Sequence, residues 1–564
     1  MKKLLPDGIS DFKTLIENDY YYVDKTDFIS EIGKNIGKTL LFTRPRRFGK
    51  TLNMSMIKYF FDVKEADENK KLFKNLKISK SPYFENQGKS PVIFISMKDI
   101  KGNSFETLKS GVMSNISDIY SEYSFLRETL DERDKEKFEK IWFSEKDANY
   151  KDSLKFLAKI LFEYYNEKVV ILIDEYDTPL VSAYRYGYYN EAKNFFSGLY
   201  GSVLKDNKFL KFGVITGIIR VIRAGIFSDL NNLSEHSILN KEYDEYFGFL
   251  EEEVKDALKY YEIDSKLEDV HTWYNGYRFG NVKVYNPWSI LRFLSQKELK
   301  CYWIDTSDNY LIKDILKSAN KKTFEKLNNL LFDKEVEESV TGRSTLQEVL
   351  EAHDLWELLL FSGYLTIDKK VEDDIYTIKI PNNEVKKFFK NSFIEISFGT
   401  NLTFKNLIEN LLNNEIEEFE ENLQDILLKY MSFYDVAKIE KIYHCFILGL
   451  MIHLEGKYEI SSNKESGLGR YDIAIKPINK NLRGFILEFK MADSEETLEV
   501  KASEALKQIE DKKYYIDFEK NGIKNITFLG MAFYKKLLKI KSLDYNQKNY
   551  WHNKKNVLSL ICNK

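Results

Sequence analysis

Cysteine, proline and net charge are all scarce in this chain of 564 residues, which has 3 cysteines, 8 prolines and a net charge of −3. The cysteines Cys301, Cys445 and Cys562 lie far apart and form no Cys-x-x-Cys pair, so neither a disulfide framework nor a zinc site is predicted. This usage suits a reducing cytoplasm, the expected location. The small net charge provides no general attraction to nucleic acid, so any nucleic-acid-binding surface has to be a local basic patch.

Long apolar runs are also missing. Two lysines follow Met1, but no apolar stretch comes after them, so no signal peptide is predicted. The most apolar helix candidate, Ile442 to Leu454, is too short to span a membrane and contains two histidines; we expect a buried helix and no membrane partner. A hydrophobic content of 43% with 15% aromatic residues is ample for packed cores, and the length predicts about two to four domains.

The most informative stretch is Leu-Leu-Phe-Thr-Arg-Pro-Arg-Arg-Phe-Gly-Lys-Thr, residues 40–51. It predicts a short buried strand, a tight loop and a helix start near Gly49, where backbone N–H groups and the helix dipole favour a phosphate. Lys50 would reach the β- and γ-phosphates of ATP, and the Thr51 hydroxyl would hold Mg²⁺. Arg44 stands where the general pattern has its first glycine. The plain alternative is a helix N-terminus with a solvated lysine.

A partner motif follows in Val-Val-Ile-Leu-Ile-Asp-Glu-Tyr-Asp, residues 169–177. Five aliphatic residues before paired carboxylates indicate a central parallel strand with acids at its carboxyl end, where ligands bind in open α/β sheets. Asp174 would hold Mg²⁺, directly or through water, and Glu175 would polarise the attacking water. The alternative is a core strand that ends in ordinary surface acids.

A third strand, Phe212 to Gly217, carries Thr216, which could sense the γ-phosphate. Arg220 and Arg223 follow in a chain that otherwise prefers lysine. Arginines near a phosphate site can neutralise transition-state charge. An ion pair on a helix face explains both arginines equally well.

Several stretches resemble the bacterial AAA-ATPase-like family. The resemblance covers most of the chain and implies a P-loop ATPase fold with a PD-(D/E)XK nuclease-like domain at the C-terminus. The matching stretches are Arg44 to Leu52, Tyr22 to Thr26, Ile226 to Leu233, Trp273 to Phe279 and Val284 to Ser289.

We therefore predict an α/β protein of three parts. Residues 1–240 alternate strands and helices as a P-loop NTPase parallel sheet does. Within them, the charged stretch from Asp131 to Asp147 is expected to be irregular, like an insertion. Residues 241–395 form a mostly helical middle or lid domain with a β-rich patch. Residues 400–564 form a unit in the order αβββαβ, as in restriction endonucleases.

A second constellation lies in this last part. In Gly-Phe-Ile-Leu-Glu-Phe-Lys, residues 484–490, strand alternation places Glu488 and Lys490 on one face. If the segment around Asp472 pairs with it as a hairpin, two carboxylates that can hold Mg²⁺ meet a lysine. A cross-strand ion pair is the ordinary alternative. By resemblance, Asp472, Glu488, Lys490 and Gln508 fall on the PD-(D/E)XK motif. Glu465 is a weaker candidate that fits a hairpin turn better.

The chain after Tyr534 is basic and interleaves lysines with aromatic residues. It could track a phosphate backbone and stack bases. A solvated amphipathic helix with a packed aromatic edge is the equal alternative. The residues concerned are Lys535, Lys536, Lys539, Lys541, Lys548, Lys554 and Lys555, with Tyr545, Tyr550 and Trp551 between them.

Three functions remain open. The first is an ATP-regulated, Mg²⁺-dependent nuclease acting on nucleic acid, with DNA as the expected partner. The second is a nucleotide-gated switch that binds nucleic acid or protein without cutting, because Arg44, Arg46, Arg47 and Phe48 replace the small residues of a usual phosphate loop. In either case Arg46 and Arg47 could themselves pair with phosphates. The third is a remodelling motor. The oligomeric state is not readable from the sequence.

Overall fold

The structure is a computed structural model, and it divides the chain into two compact units. One unit comprises residues 1–319 and 333–386, and the other comprises residues 320–332 and 387–564. The predicted boundary at residue 240 lies inside the first unit, so the three-part division stays a prediction. The residues described are 2–219, 227, 230–263, 266–304, 321–331, 333–341, 355–398, 401–430, 443–444, 447, 450–451, 454, 457–462 and 464–546.

Among the described residues, ten strands belong to the first unit. Those of the main sheet are β1 (Thr39–Thr43), β2 (Val92–Ser96), β3 (Val169–Asp174), β4 (Leu210–Gly217) and β5 (Leu233–His236). The smaller pairings use β6 (Tyr277–Phe279), β7 (Val282–Val284), β8 (Val336–Ser339), β9 (Thr366–Glu372) and β10 (Ile375–Lys379).

The main sheet has the order β2-β3-β4-β1-β5, and all its pairings are parallel. Strands β1 and β3 are buried along their whole length, as expected where helices cover both faces of a parallel sheet. The three predicted strands are therefore confirmed as β1, β3 and β4, with β1 and β3 on either side of β4. Their carboxyl ends share one edge, which is the edge that carries the phosphate loop.

The helices of the first unit that precede residue 300 come in two groups along the chain. Those around the main sheet are α1 (Phe12–Glu17), α2 (Asp27–Gly33), α3 (Lys50–Phe61), α4 (Ala66–Leu72), α5 (Phe105–Glu122), α6 (Glu132–Trp142), α7 (Ser153–Tyr165), α8 (Thr178–Arg185) and α9 (Tyr189–Leu204). Next come α10 (Glu251–Tyr260), α11 (Leu267–Tyr274) and α12 (Pro287–Gln296). Single 3₁₀ turns occupy Lys77–Lys80, Pro82–Asn86, Ser124–Thr129 and Tyr150–Asp152.

Helix α6 corrects one expectation. The irregular structure expected from Asp131 to Asp147 is wrong, because most of this stretch is helical. Asp131 caps the helix by accepting a hydrogen bond from the backbone N–H of Asp134, and Phe138 and Ile141 are buried on one side. The i, i+3 spacing of these two apolar residues was the helical signal, and the surrounding charges concealed it.

Local sequence sets the start of α12. Asn286 accepts a hydrogen bond from the backbone N–H of Ser289, and Pro287 occupies the first helical position. Proline fits there because its missing N–H would have had no partner inside the helix. This start fixes the position of Trp288 one residue later, which becomes important at the nucleotide site.

The remaining helices follow in chain order. They are α13 (Lys321–Leu331), α14 (Leu355–Phe361), α15 (Asn383–Phe398), α16 (Asn401–Asn413), α17 (Ile416–Tyr430), α18 (Leu498–Asp511) and α19 (Ile516–Lys520). A 3₁₀ turn at Glu495–Thr497 leads into α18.

In the part of the second unit that the structure describes, there are seven strands. They are β11 (Tyr458–Ser462), β12 (Glu465–Ser466), β13 (Gly469–Arg470), β14 (Ile473–Pro477), β15 (Gly484–Met491), β16 (Asn525–Tyr534) and β17 (Leu537–Asn546). The mixed sheet has the order β11-β14-β15-β16-β17, in which only the pair β15 and β16 is parallel. Helix α18 connects that parallel pair, which confirms the expected order of helix, three strands, helix and strand.

Strand β17 corrects a second expectation. The amphipathic helix considered for the chain after Tyr534 is wrong over residues 537–546, which pair antiparallel with β16. Leu538 and Ile540 are buried while Lys539 and Lys541 alternate with them, and this period of two is the signature of a strand. The rest of the basic stretch, from residue 547 onward, lies outside the described residues.

Candidate functional site

Three predicted residues meet at the carboxyl edge of the parallel sheet. Asp174 at the end of β3 is fully buried and accepts a hydrogen bond from Thr51 Oγ1 at 2.8 Å. Its other oxygen accepts one from Thr216 Oγ1 at the end of β4. Burial raises the pKa of Asp174, and the two hydroxyl hydrogen bonds oppose that shift. A hydroxyl beside a carboxylate is an all-oxygen donor set that fits Mg²⁺.

Lys50 lies under the phosphate loop. Its Nζ donates to the backbone carbonyls of Arg44 at 3.0 Å and of Pro45 at 2.9 Å. Burial lowers the pKa of this lysine, and the carboxylates of Glu175 and Asp177 oppose the shift. The ammonium group is therefore placed at the loop, with backbone carbonyls as its hydrogen-bond acceptors.

Arg44 points into the core and away from the loop opening. Its guanidinium donates to the carbonyls of Thr43 at 2.9 Å and of His236 at 2.7 Å. It also lies over the rings of Phe247 and Phe279, about 5 Å from each centroid. Burial lowers its pKa to about 9. The residue at the position of the usual first glycine thus ties the loop to β5 and leaves the opening clear.

Phe48 is likewise turned inward. It is fully buried against Tyr277 and Phe279 of β6, with ring centroids 5.0 and 5.1 Å away. Gly363, with φ +89, lets the chain approach the loop closely, since a Cβ there would lie 2.9 Å from Pro45 Cβ. Arg44 and Phe48, two of the large residues that replace the small residues of a usual phosphate loop, therefore serve as core contacts.

Arg46 and Arg47 are the loop residues that remain exposed, and both line a cavity of about 580 Å³ with Gly49, Lys50 and Thr51. Arg47 lies over the Trp288 ring at 4.2 Å from its centroid. Gly49 adopts φ +82 directly before α3, which directs the first backbone N–H groups of that helix at the opening. The cavity thus joins three cations to a helix N-terminus, an arrangement suited to a polyphosphate. Arg220 and Arg223 lie outside the described residues.

Glu175 also lines this cavity. Its backbone is left-handed, with φ +53, which is uncommon for a non-glycine residue. Its N–H contacts Thr216 Oγ1 at 3.4 Å, and its carboxylate accepts a hydrogen bond from Thr178 Oγ1 at 3.3 Å. Strained residues of this kind concentrate at functional sites.

Asp177 was quoted in the strand motif but given no role in the sequence analysis. It is 2% exposed, and one carboxylate oxygen accepts hydrogen bonds from the backbone N–H groups of Ile218 and Ile219, both at 2.8 Å. Burial raises its pKa. The residue thereby fixes the chain directly after β4. Its position as a third acid in Asp-Glu-Tyr-Asp was the available signal.

The second site forms on β14 and β15. Their antiparallel register, with Ile473 opposite Leu487, brings Asp472 beside Glu488 as the sequence predicted. Asp472 Oδ2 accepts a hydrogen bond from the backbone N–H of Phe489 at 2.7 Å. Burial raises the pKa of Asp472, while this hydrogen bond and Lys490 oppose the shift.

Gln508 of α18 connects the other two residues of this site. Lys490 Nζ donates to Gln508 Oε1 at 2.9 Å, and Gln508 Nε2 donates to Glu488 Oε1. The amide nitrogen also lies 3.4 Å from the hydroxyl of Tyr514. Glu488 is 4% exposed, so its carboxylate is placed by this network. The structure therefore brings all four predicted residues together.

Metal binding at this site is compatible with its donors. Asp472 and Glu488 provide carboxylate oxygens on neighbouring strands, the ligand type that Mg²⁺ takes. Within the described part of the chain, no group of three or more His, Cys, Asp or Glu residues could hold a metal ion. The pair of carboxylates would thus share an ion with water or substrate oxygens.

Two further residues border this site. Sequence reasoning missed His444, whose Nε2 lies 3.1 Å from both the carbonyl oxygen of Asp472 and Ser462 Oγ. Glu465 lies in β12, with an oxygen 3.7 Å from the guanidinium of Arg470 across the β12–β13 hairpin. It occupies the hairpin position that was the alternative to a metal role.

The basic residues of β17 have acidic partners. Lys539 pairs with Glu420 at 2.7 Å, and Lys541 pairs with Glu499. Tyr545 is buried and donates a hydrogen bond to Glu519 at 2.6 Å. These side chains stabilise the sheet, so they give no support to a phosphate-tracking surface here.

Comparison with known proteins agrees with the two-site division. Residues 6–227 match the family model described as predicted AAA-ATPase, and residues 438–543 match the PD-(D/E)XK nuclease superfamily. The combination expected from the sequence, an AAA-ATPase-like part followed by a nuclease-like part, is therefore confirmed. The α/β fold class is confirmed as well.

A relative from Azotobacter chroococcum mcd 1 is similar along nearly its whole length. It is described as "Uncharacterized protein in vnfD 5'region", is 26% identical over 554 residues, and is matched over 94% of this chain and 96% of its own length. The solved ORC2 protein of Aeropyrum pernix, in ADPNP–ADP complexes, matches with 10% identity and a TM-score of 0.25, over 65% of this chain and 92% of that one. At that score the likeness carries no argument.

Hydropathy gives one further result. None of the helices that the structure describes combines the length and the apolar composition needed to cross a bilayer.

Proposed function

We propose that this protein is an ATP-binding, Mg²⁺-dependent nuclease whose cleavage of nucleic-acid phosphodiesters is controlled by nucleotide. The observation that carries the proposal is the network in which Gln508 joins Glu488 to Lys490, with Asp472 opposite on the next strand. An ordinary ion pair would need only Lys490 and one of the two carboxylates. A buried acid held by an amide beside a second, half-buried acid is better explained by a site for a metal ion.

At this site Asp472 and Glu488 would hold Mg²⁺, and the bound ion would supply a water of lowered pKa and charge stabilisation on the phosphodiester. Lys490 would donate from Nζ to a phosphate oxygen as negative charge develops. Gln508 keeps the ammonium and the Glu488 carboxylate at a fixed separation, since it hydrogen bonds to both.

At the nucleotide site Lys50, Arg46 and Arg47 would bind the phosphates of ATP, with backbone N–H groups after Gly49 as further donors. Thr51 and Asp174 would hold Mg²⁺ there, Thr216 would report on the γ-phosphate, and Glu175 would orient a water. We propose the same phosphate-facing role for Arg220. We expect slow turnover, so that bound ATP acts mainly as a control signal. A cytoplasmic location is part of this proposal, supported by the scarcity of cysteine.

Contact with nucleic acid is proposed at the hairpin β12–β13, which leads directly into Asp472. The hairpin is held to the end of α18 by hydrogen bonds from Leu468 N to the Lys512 carbonyl, at 2.7 Å, and from Ser466 Oγ to the Tyr514 carbonyl, at 2.8 Å. Exposed cations surround its tip, and the side chain of Leu468 is 67% exposed. These cations are Lys464, Arg470, Lys512 and Lys513.

The first experiment measures cleavage of plasmid DNA, single-stranded DNA and RNA with Mg²⁺, with and without ATP. The wild-type protein is compared with Glu488→Ala and with Glu459→Ala, a control for an exposed acid on β11 of the same sheet. Cleavage that disappears only in Glu488→Ala supports the nuclease. Equal cleavage by both variants contradicts it and indicates a contaminating enzyme.

The alternative function, a nucleotide-gated binding switch without cleavage, has a distinct outcome. The wild-type protein would bind a labelled nucleic acid in an ATP-dependent manner and leave it intact with both Mg²⁺ and Mn²⁺. ATP turnover that a nucleic acid strongly accelerates would instead favour the remodelling motor.

The hairpin surface is tested in the Glu488→Ala background, where binding is measured without cleavage. Lys512→Glu and Lys513→Glu should weaken binding. They should also lower the slope of the logarithm of the binding constant against the logarithm of the salt concentration, by about one unit for each phosphate that the variant no longer neutralises. Lys520→Glu, an exposed change at the end of α19, is the control. Equal effects of all three changes would show a general charge effect and contradict a defined surface.

A further inference from the structure

The ring of Trp288 contacts two guanidinium groups. The Cζ of Arg47 is 4.2 Å from the centroid of its ring, and that of Arg292 is 4.7 Å away. Arg292 is itself held by an ion pair with Asp7 at 2.6 Å. The indole Nε1 donates to the Tyr302 carbonyl at 3.3 Å, which fixes the ring on its other edge. The ring is therefore a fixed surface on which Arg47 rests.

Arg47 itself has few other constraints. Among the described residues it makes no ion pair and no hydrogen bond, and its backbone is left-handed with φ +66. The next residue, Phe48, is fixed in the core by β6. A guanidinium that stacks on a ring donates its N–H groups in its own plane, so all of them stay available to a ligand.

The stacking partner comes from a separate part of the chain. The family model for the ATPase part ends at residue 227, whereas Trp288 is the second residue of α12. The side chain on which the loop residue Arg47 stacks therefore lies some 60 residues after the end of that match. The cavity beside the loop has Arg46, Arg47 and Trp288 among its lining residues.

We propose that Trp288 is a positioning residue of the nucleotide site, whose ring face holds the Arg47 guanidinium in place to bind the polyphosphate of ATP. This inference rests on the proposed ATP binding. Trp288 acts through Arg47 and makes no contact with the base. Its contribution therefore depends on the number of phosphates in the ligand and disappears when Arg47 is absent.

The experiment measures the affinity of the full-length protein for fluorescent mant-ATP, and for ATP, ADP and AMP by competition. Trp288→Leu removes the ring face, and Arg47→Gln removes the guanidinium. Each should weaken ATP binding by about three- to tenfold, the range of a partly buried cation–π contact. Trp288→Phe keeps a ring face but loses the hydrogen bond to Tyr302, so it should retain most of the affinity.

Combined variants give the decisive readout. If Trp288 acts only through Arg47, the double variant Trp288→Leu/Arg47→Gln binds ATP no more weakly than the worse single variant. Arg46→Gln provides the matched control, because Arg46 lies in the same loop and has no ring contact with Trp288; its effect should multiply with that of Trp288→Leu. AMP binding should be unchanged in Trp288→Leu.

Each outcome decides the inference. If the effects of Trp288→Leu and Arg47→Gln multiply in the double variant, the inference is wrong. It is also wrong if Trp288→Leu weakens the binding of ATP and AMP equally. Either result would mean that Trp288 contacts the base or supports folding. Full affinity in Trp288→Leu would overturn it as well. Absence of nucleotide binding by the wild-type protein would contradict the proposed function, and this inference with it. Thermal melts of each variant identify any loss of affinity that comes from unfolding.

Discussion

The two candidate sites differ in how much chain they use. The nuclease-like site takes its four side chains from Asp472 to Gln508, on two paired strands and one helix. The nucleotide site combines a loop, three strand ends and later segments that extend to Tyr364, which lines the same cavity. The nuclease-like site is therefore compact and can be recognised by the spacing of its residues in the sequence. The nucleotide site is dispersed and depends on interactions between residues that are distant in the sequence. The predictions below test whether that difference governs stability and function.

The largest effect is expected at the core of the dispersed site. Phe48→Ala removes a fully buried ring between Tyr277 and Phe279, and we expect a loss of about 3–5 kcal/mol in the stability of the first unit. Thermal unfolding, with the transition of this unit identified by its shift with ATP, measures the loss. Phe48→Leu, the control, should lose much less. An unchanged melting temperature in Phe48→Ala would show that the loop does not depend on β6.

Substitutions in the nuclease-like site, the compact one, should have little effect on stability but a large effect on activity. Lys490→Met should lower cleavage by about 10²–10³-fold, because it removes the Nζ donor that we propose acts on the developing charge. ATP affinity should stay at the wild-type value. Lys501→Met, on the exposed face of α18 where Lys501 pairs with Glu504 at 2.9 Å, is the matched control. A similar loss in both variants would contradict the assigned role of Lys490.

Gln508 should have an intermediate effect. Gln508→Leu keeps the size of the side chain but removes both hydrogen bonds, so Glu488 and Lys490 lose their shared partner. We expect cleavage or Mg²⁺ affinity to fall by about 10–100-fold, as for other residues that orient metal ligands. A titration of cleavage against Mg²⁺ concentration distinguishes the two. An unchanged titration curve would mean that the strand pair alone places the carboxylate.

The smallest effect concerns pH and the first unit. His236 on β5 accepts a hydrogen bond from Arg44 at its carbonyl, and burial lowers the pKa of its ring from 6.5 to about 4. The unfolded chain therefore binds a proton more readily between these values, so stability falls as the pH drops from about 6.5 towards 4. We expect about 1–2 kcal/mol after allowance for solvent screening.

The measurement for this effect is the melting temperature of the first unit at pH 7 and at pH 4.5, in wild type and His236→Gln. The variant should lose less stability on acidification, because glutamine does not titrate. Equal losses would place the acid sensitivity elsewhere. The nuclease-like unit provides an internal reference in the same sample.

Much of both sites could be predicted because their residues sit at fixed places in regular elements. Thr51, Asp174 and Thr216 meet because parallel strands end at a common edge, and the sequence showed each strand as an apolar run. Asp472 and Glu488 meet because a hairpin register follows from the strand limits. Their placement was predictable for these reasons, while their chemical roles stay predictions.

The environment of the phosphate loop was not predictable in this way. Arg44, Arg46, Arg47 and Phe48 replace the small residues of a usual phosphate loop, yet one acceptor of the Arg44 guanidinium is a carbonyl 192 positions later in the chain. Its ring partners, Phe247 and Phe279, are also distant. No local pattern identifies such pairs. Strand β17 was missed for a different reason, since its lysines drew attention away from the alternation of Leu538 and Ile540.

The inward packing of the phosphate loop has a kinetic consequence. Arg44 and Phe48 are fixed by their core contacts before any ligand arrives, so the loop loses little conformational freedom when ATP enters. Association should then be a single step whose observed rate rises linearly with ATP concentration, without the plateau that a slow loop rearrangement produces. Stopped-flow mixing with mant-ATP would show this directly, and the residence time of the nucleotide would be set by dissociation alone.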